Sequence, residues 1–352
     1  MYRIKQLPED FIVREINNIK ILNNGQYAYY ILKKINYTTV DALQILSKKF
    51  KMPLKNIGFA GNKDKHAVTQ QKISIFRGSK SFENIQLKNI ELEYLGNGKE
   101  PISLGDLKGN EFFITLRNLG NNEIEKIKSL ASKKIRIPNF FGLQRFSKNN
   151  HLVGKAVITR DFKKAIEMIL ENNGHNEIKI KEFLEINKNN YVGALRLIPL
   201  KTRKLFVHSY QSFLFNEIVR EYLKIKKERN IKIPIIGFNF KLNAIKNETL
   251  RSIISNLLNS EKINPRDFII NQMPELTSEG SSRNLFFQFK FKVFEISQDE
   301  LNNKMQKARI NFILPKSAYA TTALEFIFLN TSLNTSFGFL EASMSIIIFF
   351  FL

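Results

Sequence analysis

Asp64 is the residue of this chain whose neighbours most clearly suggest chemistry. It lies between Lys63 and Lys65, after the glycine-containing residues 58–61, and before an alternating, strand-like stretch. Ammonium groups beside a carboxylate favour its ionised form. An ionised aspartate can act as a nucleophile or as a base. The alternative reading of the same residue types is an ordinary polar turn, because Gly, Asn and Asp favour turns.

The sequence shows no nucleotide-binding motif and no metal-binding motif. Residues 58–63 lack the spacing of a phosphate-binding Gly-x-x-x-x-Gly-Lys-Ser/Thr loop. Asp64 comes one residue too early for a guanine-reading Asn-Lys-x-Asp motif. The four histidines are scattered without metal-ligand spacing, and the absence of cysteine excludes disulfides, iron–sulfur clusters and zinc–thiolate sites. We therefore expect no metal and no cofactor.

The overall charge indicates an anionic partner. The 352 residues include 55 Lys and Arg against 32 Asp and Glu, a net charge of +23. Nucleic acid is the leading candidate, because phosphate neutralisation drives non-specific binding. Codon bias in an AT-rich genome is the alternative for part of this surplus. The N-terminus has no apolar signal-peptide core, and the apolar residues 345–352 are far fewer than the roughly 20 that a spanning helix needs. We expect a cytoplasmic protein without a membrane span.

The elements that must position Asp64 follow from hydrophobic periodicity. Ile73 and Ile75 alternate with polar residues, which predicts a strand after the Asp64 loop. Thr38 is a candidate N-cap for a helix that ends before Pro53. The pattern is mainly helical from about residue 161 to 262, and residues 287–293 show the clearest alternation of the chain. The order of strands, helices and strands predicts one sheet domain with a second domain inserted into it.

Six segments, in order, resemble the TruD family of pseudouridine synthases. The longest, Gly58-Phe-Ala-Gly-Asn-Lys-Asp-Lys-His-Ala-Val-Thr-Gln-Gln71, is similar to the family signature Gly/Ser-aromatic-Ala-Gly-x-Lys-Asp-Lys/Arg-x-Ala-Val-Thr-x-Gln. The resemblance covers residues 2 to 326. The other five segments are residues 5–13, 105–112, 138–146, 209–216 and 314–322.

This resemblance implies a fold and a reaction. The implied class is α+β, a pseudouridine-synthase-type mixed, mostly antiparallel sheet with flanking helices and an inserted α/β domain. We expect a discontinuous catalytic domain over residues 1–160 and 290–330, an inserted domain over 161–289, and a tail of unknown role over 331–352. The implied activity is isomerisation of uridine 13 of tRNA by a monomeric enzyme that needs no cofactor. Asp64 takes the place of the family's catalytic nucleophile.

Five further site residues come from the same resemblance. Phe11, Asn139 and Tyr319 fall on the family's substrate-binding positions, Phe141 is expected to buttress the pocket, and Lys5 is a candidate partner for the active-site aspartate. Aromatic faces are platforms for an unstacked base, and an asparagine amide has the donors and acceptors that a uracil edge requires. Core packing is the alternative for each aromatic residue among the 31 phenylalanines and 10 tyrosines.

Two side chains and the chain end leave questions open. Gln144 and Arg145 either brace the Asp64 loop or contact phosphate. The C-terminal motif, which contains Tyr319, departs from the family pattern at two positions: Lys316 stands where glycine is usual, and Leu324 stands where arginine commonly follows.

The sequence leaves open both the reaction route and the functional class. Asp64 could attack C1′ of the ribose, abstract the 2′ proton to give a glycal, or attack the pyrimidine ring. Two other classes remain: a non-catalytic RNA-binding protein, and another RNA enzyme such as a hydrolase or a methyltransferase.

Overall fold

The computed structural model describes residues 2–171, 175–225, 230–316 and 318–329. The expected tail over 331–352 lies outside these residues. Compactness divides the chain into unit 1, Met1–Arg136 with Gln288–Ala320, and unit 2, Ile137–Phe287 with Thr321–Leu352. The domain boundaries near residues 160 and 290 stay a prediction. Residues 137–160, which the sequence assigned to the first domain, group with unit 2.

An eight-stranded sheet forms the centre of unit 1. Its strands, in sheet order, are β11 (Phe291–Gln298), β12 (Gln306–Pro315), β6 (Gly109–Leu119), β1 (Phe11–Ile16), β4 (Val68–Phe76), β2 (Tyr27–Ile35) and β5 (Ile90–Gly98), and β3 (Ile57–Phe59) pairs with β4. Within the described residues β1 and β4 run parallel, and the other neighbouring strands of this sheet are antiparallel. This arrangement confirms the mixed, mostly antiparallel sheet.

Helix α1 (Thr39–Lys49) covers one face of this sheet, and α2 (Asn121–Leu130) follows β6. Thr38 caps α1 as expected, since its hydroxyl accepts a hydrogen bond from the Asp41 N–H at 3.1 Å. The apolar side of α1 packs against alternate residues of β2 and β4. The buried members of this cluster are Ala28, Tyr30, Leu32, Ala42, Leu43, Leu46, Ile57, Ile73, Ile75, Ile90 and Leu92.

Unit 2 is built around the 26-residue helix α7 (Leu200–Ile225). Helix α3 (Asn150–Ile158) approaches α7 closely, because a Cβ atom at Gly154 would lie 2.0 Å from the Phe206 carbonyl oxygen. Glycine is the residue that permits this packing. Further described elements of unit 2 include α4 (Phe162–Leu170), α5 (His175–Ile186), α6 (Tyr191–Arg196), α8 (Glu248–Glu261), β8 (Lys232–Ile235) and β9 (Ser281–Asn284).

The alternating run over residues 287–293 is not one strand. It divides at Lys290 into β10 (Phe286–Phe289), which pairs with β7 (Ile135–Pro138), and β11, which pairs with β12. The strand character of this run is confirmed, but alternation reports which side chains are buried and not which strand is the partner, so it does not locate the break at Lys290. Helix α9 (Ala320–Leu329) ends the described chain. Among the described helices, none combines the length and hydrophobicity that a transmembrane span requires.

Candidate active site

Asp64 lies in the loop between β3 and β4, and its side chain is 44% exposed. The Lys5 ammonium donates to its Oδ2 atom at 2.9 Å. Lys5 has a φ of 57°, a left-handed conformation that costs an L-residue roughly 1–2 kcal/mol. Its ammonium also lies 4.2 Å from the centroid of the Phe11 ring. The structure therefore brings Lys5, Phe11 and Asp64 together in unit 1.

Two buried polar side chains fix the backbone just before Asp64. The Thr39 hydroxyl accepts a hydrogen bond from the Lys63 N–H at 2.8 Å and donates to Gln71 Oε1 at 2.8 Å. Gln71 in turn donates from Nε2 to the Gly61 carbonyl at 3.1 Å. Helix α1 and strand β4 thus hold the loop from two sides.

The lysines around Asp64 have different partners. Lys63 turns away from the carboxylate and donates to Glu15 Oε2 at 2.5 Å, in a pair that is almost fully buried. Lys65 is exposed. Lys34 is fully buried and donates to the backbone carbonyl of Asp64 at 2.9 Å. Sequence reasoning missed Lys34, although it lies two residues after Leu32 on the same face of β2.

A buried charge network anchors the segment that carries Lys5. The guanidinium of Arg117 on β6 donates from Nε to Asp10 at 2.9 Å and from Nη1 to Asp299 Oδ1 at 2.9 Å. The side chains of Asp10 and Asp299 are 2% and 0% exposed. Asp10 also accepts a hydrogen bond from the Leu7 N–H at 2.9 Å, which ties the turn after Lys5 to the sheet.

Asn302 extends this network toward the N-terminus. It donates to Asp299 Oδ2 and to Gln6 Oε1, both at 2.8 Å, and accepts from Arg3 at 3.1 Å. Residues on both sides of Lys5 are therefore held, which explains how its left-handed backbone is maintained.

Asn139 and Phe141 lie in unit 2, next to Arg283. Asn139 is 8% exposed; its Oδ1 accepts a hydrogen bond from Arg283, and its Nδ2 donates to the Asn284 carbonyl at 3.1 Å. Because a guanidinium only donates, this contact fixes which end of the amide carries the oxygen. The same guanidinium stacks 4.3 Å from the Phe141 ring centroid. Arg283 is a second residue that the sequence analysis missed.

The aromatic residues expected at the site differ in burial, and Arg145 packs within unit 2. Phe11 is only 2% exposed and packs edge-on against Phe112 with ring centroids 6.0 Å apart, as its core-packing alternative expects. Tyr319 is half-buried between β12 and α9. Arg145 contacts α7, where its Nε donates to Ser212 Oγ at 3.3 Å. Within the described residues, no cluster of three His, Cys, Asp or Glu side chains could hold a metal ion.

Comparisons with known proteins agree on one family. The model of tRNA pseudouridine synthase D (TruD) matches residues 2–184, 179–232 and 222–326. The tRNA pseudouridine synthase D of Aquifex aeolicus is 28% identical over an alignment that covers 93% of this chain and 98% of that protein. A protein of Methanosarcina acetivorans, named a probable tRNA pseudouridine synthase D, is 30% identical, with 92% and 91% covered.

A solved structure is also similar. The crystal structure of a candidate tRNA pseudouridine synthase D from Methanosarcina mazei superimposes with a TM-score of 0.67 at 30% identity, covering 92% of each chain.

Proposed function

Because this chain belongs to the TruD family of tRNA pseudouridine synthases, we propose that it isomerises uridine 13 of tRNA with Asp64 as the catalytic carboxylate. The observation that carries this proposal is the pairing of Asp64 with Lys5 in a loop held by hydrogen bonds on both sides. An ionised, half-exposed carboxylate in a fixed position is what attack on ribose or base requires.

The two carboxylate oxygens have different surroundings. Lys5 binds Oδ2, and in the described part of the chain no hydrogen bond engages Oδ1. We propose that Oδ1 is the oxygen that reacts with the uridine, whether it attacks C1′, takes the 2′ proton or attacks the pyrimidine ring. In each route the N1–C1′ bond breaks, C5 bonds to C1′, and the proton on C5 is released while N1 gains one. No electron or group is gained overall, so the isomerisation requires no redox cofactor.

The base-binding residues belong to the same proposal. We propose Phe11, Phe141 and Tyr319 as substrate-binding residues for a uridine that leaves its stack. Phe141 and Tyr319 are half-buried and offer aromatic surface, whereas Phe11 is 2% exposed and acts through the Lys5 ammonium that lies over its ring. Asn139 has one further N–H on Nδ2 and a second lone pair on Oδ1, which complement the donor and acceptors of a uracil edge. Its fixed amide, held by Arg283, supports this role. The substrate is tRNA, and we extend the proposal to a monomeric enzyme that acts in the cytoplasm.

The test is pseudouridine mapping with a matched pair of variants. Wild type, Asp64→Asn and Asp106→Asn are incubated with total RNA, and pseudouridine is located by carbodiimide modification and primer extension. Asp106 is a control because it is a loop aspartate of the same unit whose carboxylate accepts a hydrogen bond from the nearby Ser103 N–H at 2.7 Å. We expect modification at tRNA position 13 with wild type and Asp106→Asn, and none with Asp64→Asn. A protein that binds tRNA but leaves every position unmodified would support the non-catalytic alternative.

A further inference from the structure

Lys34 is a fully buried lysine of unit 1. It lies on β2 on the same side as Tyr30 and Leu32, facing helix α1, and its side chain is fully buried. The preceding residue, Lys33, points to the opposite side of the sheet and pairs with Glu91 at 3.1 Å in solvent. Successive side chains of a strand point to opposite faces of the sheet. Lys33 therefore lies on the exposed face and Lys34 on the buried face.

The buried ammonium has two backbone partners. Lys34 Nζ donates to the Tyr37 carbonyl at 2.6 Å and to the Asp64 carbonyl at 2.9 Å. Burying an ammonium group is costly unless it is hydrogen-bonded. An apolar side chain of similar length would avoid that cost, so packing alone does not explain a lysine here.

The contact with Asp64 complements the others in the loop. Thr39 holds the Lys63 peptide, and Gln71 holds the Gly61 carbonyl. Lys34 holds the peptide of Asp64 itself, one residue closer to the reacting group. A displacement of about 1 Å at a catalytic group can cost about a hundredfold in rate.

We infer that Lys34 is a positioning residue for the reaction proposed above: its ammonium holds the Asp64 carbonyl from inside the protein while Lys5 holds the carboxylate from outside. This inference rests on the proposed role of Asp64. Because Lys34 is buried, it acts on turnover and not on the binding of tRNA.

The protonation of Lys34 gives a second consequence. Burial lowers its pKa to about 8, against the opposing effect of Asp64. The charged groups that face it are Asp64 and Lys63 from the loop and Asp41 from α1, of which only Lys63 adds to the lowering. The ammonium is therefore lost above about pH 8, where the inference predicts a fall in the turnover rate.

The experiment compares Lys34→Met and Lys34→Arg with the matched control Lys33→Met. Conversion of a tRNA transcript is followed between pH 6 and pH 9.5, and kcat and KM are separated. We expect Lys34→Met to lose about tenfold or more in kcat with little change in KM, and Lys33→Met to keep the wild-type values. Lys34→Arg should retain more activity than Lys34→Met. It should also keep its rate above pH 8, because arginine stays protonated throughout this range.

Two results would overturn the inference. One is wild-type kcat in a folded Lys34→Met protein. The other is an equal fall in kcat above pH 8 in wild type and in Lys34→Arg. If Lys34→Met does not fold, this comparison alone tests the inference. Wild type and Asp64→Asn are assayed beside them. If wild type makes no pseudouridine, or Asp64→Asn does, the proposed function has failed; if both behave as proposed, a negative result concerns Lys34 alone.

Discussion

Asp299 is the buried carboxylate on which the N-terminal segment depends, and its replacement by asparagine gives a quantitative prediction. It accepts hydrogen bonds from Arg117 at 2.9 Å, from the Asn118 N–H at 2.8 Å and from the Leu301 N–H at 3.0 Å. Burial by itself would raise its pKa, but these hydrogen bonds outweigh that effect and lower the pKa to about 2. The folded state therefore favours the ionised form.

The size of the effect follows from linkage. A shift from the ordinary value of 3.8 to about 2 corresponds to about 2 kcal/mol of free energy of unfolding, at about 1.4 kcal/mol for each pKa unit. Since the pKa is lowered on folding, this contribution is fully present above pH 4. It is lost as the pH falls through the range between 3.8 and about 2, where the folded protein also takes up the proton.

The assay is denaturant unfolding of wild type and Asp299→Asn at a series of pH values. We expect the variant to be less stable by about 2 kcal/mol at pH 7 and the difference to shrink below pH 4. Asp106→Asn, a change in an exposed loop, should match wild type at every pH. Equal stability of Asp299→Asn and wild type at pH 7 would refute the reasoning. A difference that does not change with pH would show that shape, and not ionisation, is responsible.

Two further predictions concern the site. Lys5→Met should slow pseudouridine formation about tenfold or more. The unfolding midpoint should stay near that of wild type, because Lys5 is partly exposed and its main contact is with Asp64. Steady-state kinetics and thermal unfolding measure the two effects, and an unchanged kcat would contradict the prediction. Arg283→Met should raise KM for tRNA and lower the unfolding midpoint, because Asn139 loses the donor that orients its amide. Steady-state kinetics at a series of tRNA concentrations measures KM, and an unchanged KM would count against a substrate-binding role for Asn139.

The parts of the fold that depend on local pattern could be predicted from the sequence. The N-cap at Thr38 and the alternation around Ile73 and Ile75 each report on neighbouring residues only, and both predictions are confirmed. The run over residues 287–293 was different, because its division at Lys290 depends on two distant partner strands. Periodicity indicates burial and carries no information about the strand that pairs.

The site residues also fall into two groups: those that a local motif indicates and those that depend on distant contacts. Asp64 and Lys5 could be proposed because each lies in a contiguous motif. Lys34 could not, since a lysine in a strand is most often a solvated side chain and its partner at Asp64 is 30 residues away. Arg117 joins Asp10 to Asp299 across separations of 107 and 182 residues. Contacts of this kind appear only when the chain is folded.

The most direct test of the central proposal is release of tritium from tRNA labelled at C5 of uridine. Formation of the C5–C1′ bond expels the hydrogen on C5, so each isomerisation releases one tritium. We predict release by wild type from tRNA with uridine at position 13, no release by Asp64→Asn, and none from a tRNA with cytidine at that position. Release by Asp64→Asn would contradict the role of the carboxylate, and equal release from the cytidine-13 tRNA would contradict the proposed position.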